Sequence, residues 1–304
     1  MTKDHHHRFS SRACRTAAWT AAGLFAASTA IAEALPDRYA ATDQLFGRVL
    51  SQVAANGLRE ELQIDHARLA EAAGKTMPAA RVVLFTDPGV VTSLVRSNVR
   101  AGLDLPLRVL AYEGEAGPAI AYTDAEFLRA RHGLQDESAL KAFDTALAKV
   151  LAPIEPSRIK AVPTSGMTRD QGIVELVSAY DFGETVDRLK KVVASQSDTV
   201  WFGEVDYQAM AAGQGTAIGP ATLLLFGGPA PGGVAMAAFP SIGLDAFCQK
   251  LLVYQDDKGS VHVIFNSIVA LAELHYGRSI DPHRMLDQRL TGTFKKAIAP
   301  QGTP

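Results

Sequence analysis

Two histidines stand where imidazole chemistry is conceivable: His66, directly after Asp65, and His132, directly before Gly133. Neutral imidazole is a common ligand for zinc or copper, and a carboxylate behind one ring fixes its tautomer and raises its basicity. Asp65, His66 and His132 therefore compose a candidate site for a divalent metal or a small ligand. The same residues serve equally as half-buried aromatic positions, where an imidazole packs and hydrogen-bonds much as a phenol does. A separation of 66 residues carries no ligand-spacing signature, so packing is the leading reading. Asp65 follows an extended segment and precedes a short helix, which also suits a helix cap. Cys248 is the other reactive group. Its thiol becomes a nucleophile only beside positive charge. Lys250, two residues on, would share its face of a strand. Without such charge a lone cysteine is a small buried hydrophobe. The four glycines between 227 and 233 lack the Lys-Ser/Thr ending of a phosphate loop. No Gly-x-Ser-x-Gly elbow or His-Glu-x-x-His helix occurs. A Ser–His–Asp set is spatial, and sequence spacing neither supports nor excludes it.

The elements that must position these groups come in two copies. Asp65 and Asp206, Gly74 and Gly215, Leu84-Phe85 and Leu225-Phe226, and Gly102-Leu103-Asp104 and Gly243-Leu244-Asp245 all recur at an offset of 141. The offset then drifts by single residues, with Tyr112 against Tyr254, Tyr122 against Phe265 and Gly133 against Gly277, as turn insertions produce. Periodicity predicts one helix through Leu45, Val49 and Val53 and its copy through Val186, Leu189 and Val193. Buried strands follow at Val82–Phe85 and Leu223–Phe226, and a hairpin closes each copy. The expected fold is α+β. It comprises two tandem β-α-β-α-β-α-β-β modules, each an antiparallel-rich sheet covered by helices, packed as a pseudo-dimer. The first strand is clear at Ile173–Ala179 and ill-defined near Leu35–Ala40. Asp104 and Asp245 read as turn residues. The modules span 33–134 and 173–278. Between them, 135–172 is a helical and irregular linker, and 279–304 is a terminal helix and tail outside the repeat.

The amino terminus has a basic start, a charge-free run from Ala17 to Ala32 and the small-residue exit Ala30-Ile31-Ala32. These are the parts of a secretory signal, and residues 1–32 are expected to be removed. The run is shorter than a membrane span of about 20 apolar residues. His5-His6-His7 and Cys14 fall inside this discarded segment. It carries four basic side chains and one acidic, so its loss takes the formal net charge from −2 to −5. An acidic surface argues against nucleic acid as a partner. The expectation is a periplasmic or secreted protein without a stable membrane anchor, in which Cys248 has no disulfide partner.

Ile64-Asp65-His66, Phe226-Gly227-Gly228-Pro229, Leu103-Asp104-Leu105-Pro106-Leu107-Arg108, Tyr112-Glu113 and Arg131-His132-Gly133 together resemble the bacterial family called domain of unknown function 302. The resemblance covers nearly the whole chain after the leader, once per module. It implies a compact α+β unit that associates in pairs, so that tandem copies supply the pair, and it brings no established reaction. Where the first copy has His66 and His132 the second has Tyr207 and Tyr276, and Cys248 is aligned with Leu107. The leading functional reading is a non-enzymatic exported binding module, with a small-molecule ligand or metal at Asp65, His66, His132, Tyr207 or Tyr276 and with self-association compatible. The alternatives are an enzyme that uses His66 and His132, and a scaffold for a partner protein.

Overall fold

The computed structural model describes residues 37–246 and 249–300. The leader at 1–32 and Cys248 lie outside the described residues. In chain order the first module is α1 (Ala40–Ala55), β1 (Arg59–Asp65), α2 (His66–Ala72), β2 (Ala80–Thr86), α3 (Pro88–Ser97), a short 3-10 helix (Val99–Asp104), β3 (Leu107–Gly114), β4 (Gly117–Tyr122), α4 (Ala125–His132) and α5 (Glu137–Leu151). A short strand β5 (Ile159–Ala161) lies in the connection. The second module is β6 (Ile173–Val177), α6 (Phe182–Ala194), β7 (Val200–Asp206), α7 (Tyr207–Gly213), β8 (Ala221–Gly227) and α8 (Pro229–Met236). It continues with a 3-10 helix (Pro240–Leu244), β9 (Gln249–Gln255), β10 (Val261–Asn266), α9 (Ile268–Tyr276) and α10 (Asp281–Ile298). The α+β tandem repeat is thus the observed architecture.

The duplication is visible rung by rung. Ile64 pairs with Val82 as Val205 pairs with Leu223, and the register irregularity between Glu60 and Leu62 recurs between Trp201 and Gly203. Helix starts repeat as well. Asp65 accepts from the Arg68 amide and Asp206 from the Ala209 amide, both at 2.9 Å. Each such cap contributes about 1 kcal/mol. Gly133 and Gly277 end α4 and α9 at positive φ, a conformation that glycine takes without a Cβ penalty.

The two sheets differ at one edge. Their orders are β1-β2-β3-β4-β5 and β7-β8-β9-β10-β6 when read from equivalent ends. The first-copy strand expected near Leu35–Ala40 is not found among the described residues there: 37–39 form a turn and α1 begins at Ala40. Its place is taken from the connection by β5, parallel to β4, whereas β6 is antiparallel to β10. The expected linker helix and terminal helix also belong to the repeat. Helix α5 packs on α1, α3 and α4, and α10 packs on the equivalent α6, α8 and α9.

Strand side chains alternate between faces, and both faces of these sheets are buried. Leu224 and Phe226 join Leu189, Val193 and Phe294 from α6 and α10 in the second module's own core. Leu223 and Leu225 turn the other way, into a core shared with the first module. A strand buried on both faces reads as an unbroken apolar run, hence Leu223-Leu224-Leu225-Phe226. The modules exchange their small elements across this shared core. The 3-10 helix Pro240–Leu244 lies on β2, β3 and β4, and its counterpart Val99–Asp104 lies on β8, β9 and β10. Likewise α2 packs on α8 and α3 on α7.

Candidate functional site: a cleft between the two modules

The expected site residues separate into a clasp, a buried charge centre and a cleft. The clasp is His66 and Tyr207. Nε2 of His66 donates to the carbonyl of Gly243 at 3.0 Å, and the Tyr207 hydroxyl lies 2.7 and 2.8 Å from the carbonyls of Gly102 and Leu105. Each ring reaches from its own module onto the other's 3-10 helix. A Cβ at Gly102 would stand 2.8 Å from the Tyr207 ring, and one at Gly243 would stand 3.0 Å from His66, so both positions need glycine. Burial drives the His66 pKa down to about 4, opposed by its bond to Gly243, and drives the Tyr207 phenol well up. Both rings are therefore neutral and structural.

His132 belongs to the charge centre. Asp104 ends its 3-10 helix, and Asp245 lies in the turn after the other, as expected of a turn residue for Asp245. Both are fully buried, which sequence reading did not foresee. Onto Asp104 converge Arg131 at 2.7 Å, Arg108 at 3.0 Å and Nε2 of His132 at 2.6 Å. Arg108 also donates through Nε to Asp245 at 2.8 Å, where Lys250 stands 3.3 Å away. Burial alone would raise both carboxyl pKa values. The adjacent cations outweigh it and hold both well below the usual carboxylate range. Burial lowers the His132 pKa against the pull of Asp104, so the ring is neutral with its proton on Nε2. His66 and His132 thus have separate partners. Among the described residues no group of three or more His, Cys, Asp or Glu is arranged to hold a metal ion.

The charge centre follows the pseudo-symmetry. Leu84 pairs with Arg108 and Leu225 with Lys250, so these two cations are equivalent. By the same register Leu107 corresponds to Gln249, not to Cys248. Counted back from the glycine caps, Arg131 matches His275 and His132 matches Tyr276.

At its two ends the molecule departs from symmetry. Around Tyr254 the space is filled. Arg100 bonds Tyr254 at 3.0 Å, Glu175 at 2.9 Å and Asp170 at 3.1 Å. His262 stacks on Tyr254 with ring centroids 4.9 Å apart and places Nδ1 2.7 Å from Glu175. Around Tyr112 the equivalent space is a cavity of about 570 Å³, lined among others by Tyr112, Glu113, Lys160, Ser241, His275 and Tyr276. Three substitutions open it. Ser241 replaces Arg100 at the second position of the 3-10 helix. Ala119 pairs with Tyr112 where His262 pairs with Tyr254. Lys160 pairs with Ala121 at the edge position where Glu175 pairs with Ile264, which reverses the charge.

Inside the cleft the Tyr276 hydroxyl accepts from the Ser241 amide at 3.0 Å and from Ser241 Oγ at 2.8 Å. Burial and the neighbouring Tyr276 push the Tyr112 phenol up, so it stays protonated and donates. Of the residues expected in a ligand site, Tyr276 alone lines this cleft. Asp65 caps α2, while His66, His132 and Tyr207 bind protein groups. Lys160, Ser241 and His275 were missed, although Arg100/Ser241 and Arg131/His275 were readable as departures between the copies.

The fold and this interior define a class: one chain in which two α+β modules clasp each other as a pseudo-dimer. The chain belongs to the family described as Domain of unknown function DUF302, which matches residues 37–154 and 174–295, including α5 and nearly all of α10. A crystal structure of an uncharacterized conserved DUF302 protein from Bacillus stearothermophilus is similar at 15% identity with a TM-score of 0.36. That similarity covers 42% of this chain and 98% of that one. Over 106 residues the chain is 32% identical to the fluoride-specific ion channel FluC 1 of Brucella suis biovar 1 (strain 1330), covering 34% of this chain and 42% of that protein. The FluC 1 protein of Brucella abortus biovar 1 (strain 9-941) is also 32% identical, with 39% of it covered. The chain therefore spans about two fifths of these curated relatives. Among the described residues no helix is long and apolar enough to cross a membrane.

Proposed function

We propose that the protein is an exported binding protein that holds one small polar molecule, bearing an acidic group, in the cleft between its modules. The observation that carries this is the unequal treatment of two equivalent places. One is filled by Arg100 and its carboxylate partners, and the other is a cavity of about 570 Å³. A volume in this range suits a small organic ligand. The lining sets the class. Beside the exposed carboxylates of Glu113 and Glu115, the cleft presents a cation, Lys160 in the place of Glu175, and the donors of Tyr112 and Tyr276. Those groups complement a carboxylate or phosphate oxygen. Export rests on the leader-like residues 1–32.

Thermal-shift screening of the purified chain against small carboxylates, phosphate esters and inorganic anions tests this reading. Sodium fluoride belongs in that set because of the name of the Brucella relatives. At 100 times Kd a ligand stabilises by about 2.7 kcal/mol, which raises the Tm by several degrees. A hit lost in Lys160→Glu supports the cleft. A full panel without stabilisation contradicts it.

A further inference from the structure

Two buried polar atoms at the back of the cleft face each other and have no hydrogen-bond partner among the described residues. Nε2 of His275 and Oδ2 of Asp245 lie 3.6 Å apart, and the His275 side chain is only 5% exposed. Buried groups of this kind are nearly always paired, so the contact calls for an explanation. On the other side of the same ring Nδ1 stands 3.4 Å from Ser241 Oγ. Carboxylate, imidazole and hydroxyl thus form a line that ends at a cavity wall.

We infer that Ser241, His275 and Asp245 form an acyl-transfer centre that hydrolyses small carboxylic esters bound in the cleft; the inference rests on the cleft being the ligand site. The roles follow from the atoms. Asp245 faces Nε2, which makes that nitrogen the protonated one and leaves the Nδ1 lone pair toward Ser241. Asp245 is a positioning residue, fixed by Arg108 and Lys250. The Ser241 hydroxyl, which donates to Tyr276 at rest, rotates its proton to Nδ1, attacks the ester carbonyl carbon and gives that proton to Nδ1. The carbon–alkoxy bond breaks, and the alcohol leaves with that proton. Water then adds to the seryl ester and gives a proton to Nδ1. The bond to Oγ breaks, Oγ recovers the proton, and the carboxylic acid departs. Tyr276 accepts the Ser241 amide at 3.0 Å and keeps its own proton to offer the oxyanion beside Oγ.

The first module cannot do this. Its equivalents are Arg100, Arg131 and Asp104, so the carboxylate persists but no hydroxyl nucleophile and no imidazole base stand with it. The centre is a set of residues that duplication placed and divergence changed.

The test is treatment of the full chain with a fluorophosphonate probe, peptide mapping of the adduct, and p-nitrophenyl acetate turnover. The expected result is one label per chain on Ser241, none in Ser241→Ala, and labelling roughly 100-fold slower in His275→Gln. Circular dichroism of each variant shows that it folds. Absence of label on the folded wild type, or equal ester turnover by Ser241→Ala, overturns the inference. A wild type that is stabilised in the ligand screen yet takes no label loses only the acyl-transfer centre. One that labels on Ser241 but is stabilised by no acidic ligand loses only the ligand class.

Discussion

The end of the molecule around Tyr254 and the end around Tyr112 began as the same place. At the first, Arg100 spans a tyrosine and two carboxylates and leaves no room. At the second, the guanidinium has become Ser241, the stacked imidazole has become Ala119, and the edge-strand carboxylate has become Lys160. The difference teaches how a duplicated interface can diverge. One copy of the contact keeps the pair together, and the other is opened into the cleft that we propose holds a ligand. The central charges between them did not diverge in kind: Asp104 and Asp245 persist, each facing cations from its own module and sharing Arg108.

The strongest way to break the comparison is to attack what both ends share. Asp104→Asn removes a buried charge that faces two arginines, and such losses cost about 3–5 kcal/mol. Urea unfolding should show that loss. It should exceed the loss in Asp245→Asn, since Asp104 holds three close partners and Asp245 has one oxygen without a hydrogen bond among the described residues.

Acid should unfold the chain partly through His66, whose folded pKa is about 4 against about 6.5 when free. The depressed value means that its contribution is complete above pH 6.5 and is lost as pH falls from there through 4. The full effect is about 3 kcal/mol. His66→Tyr copies the second module's clasp and should reduce the fall in stability between pH 6.5 and 4, leaving the part due to His132, whose pKa burial also lowers. Asp104 and Asp245 act lower, because their carboxyls stay ionised below the usual range. A profile unchanged by His66→Tyr contradicts the assignment of a neutral buried ring.

Opening the closed end is a smaller step. Arg100→Ser loses charge-assisted bonds to Glu175 and Asp170, at about 2 kcal/mol, and leaves Glu175 and His262 to each other. Chemical denaturation measures it. Smallest are the caps: Asp65→Ala and Asp206→Ala should each cost about 1 kcal/mol, and similarly, since the two helices start alike.

Much of the architecture was legible because a duplicated sequence reports its own alignment. The leucine run of β8 showed a strand buried on both sides, and Asp65 and Asp206 showed helix caps. The missing first strand was not legible, since Ile159–Ala161 is too short to mark itself and comes from what reads as a linker. The charge centre was hidden for another reason. Asp104 follows Gly-Leu, a turn-like context, and its partners Arg131 and His132 lie 27 and 28 positions away. His66 and His132 drew attention by residue type, yet both are spent on protein partners. The cleft residues announce themselves only when aligned positions are compared for size and charge, as with Arg100 against Ser241.

The most direct measurement is equilibrium binding, by calorimetry, of an acidic hit to the wild type and to Ser241→Arg/Lys160→Glu, which rebuilds the closed end at the open one. The account predicts one molecule per wild-type chain and none in the double variant, with circular dichroism unchanged. Two molecules per chain, or equal binding by a well-folded double variant, would contradict it.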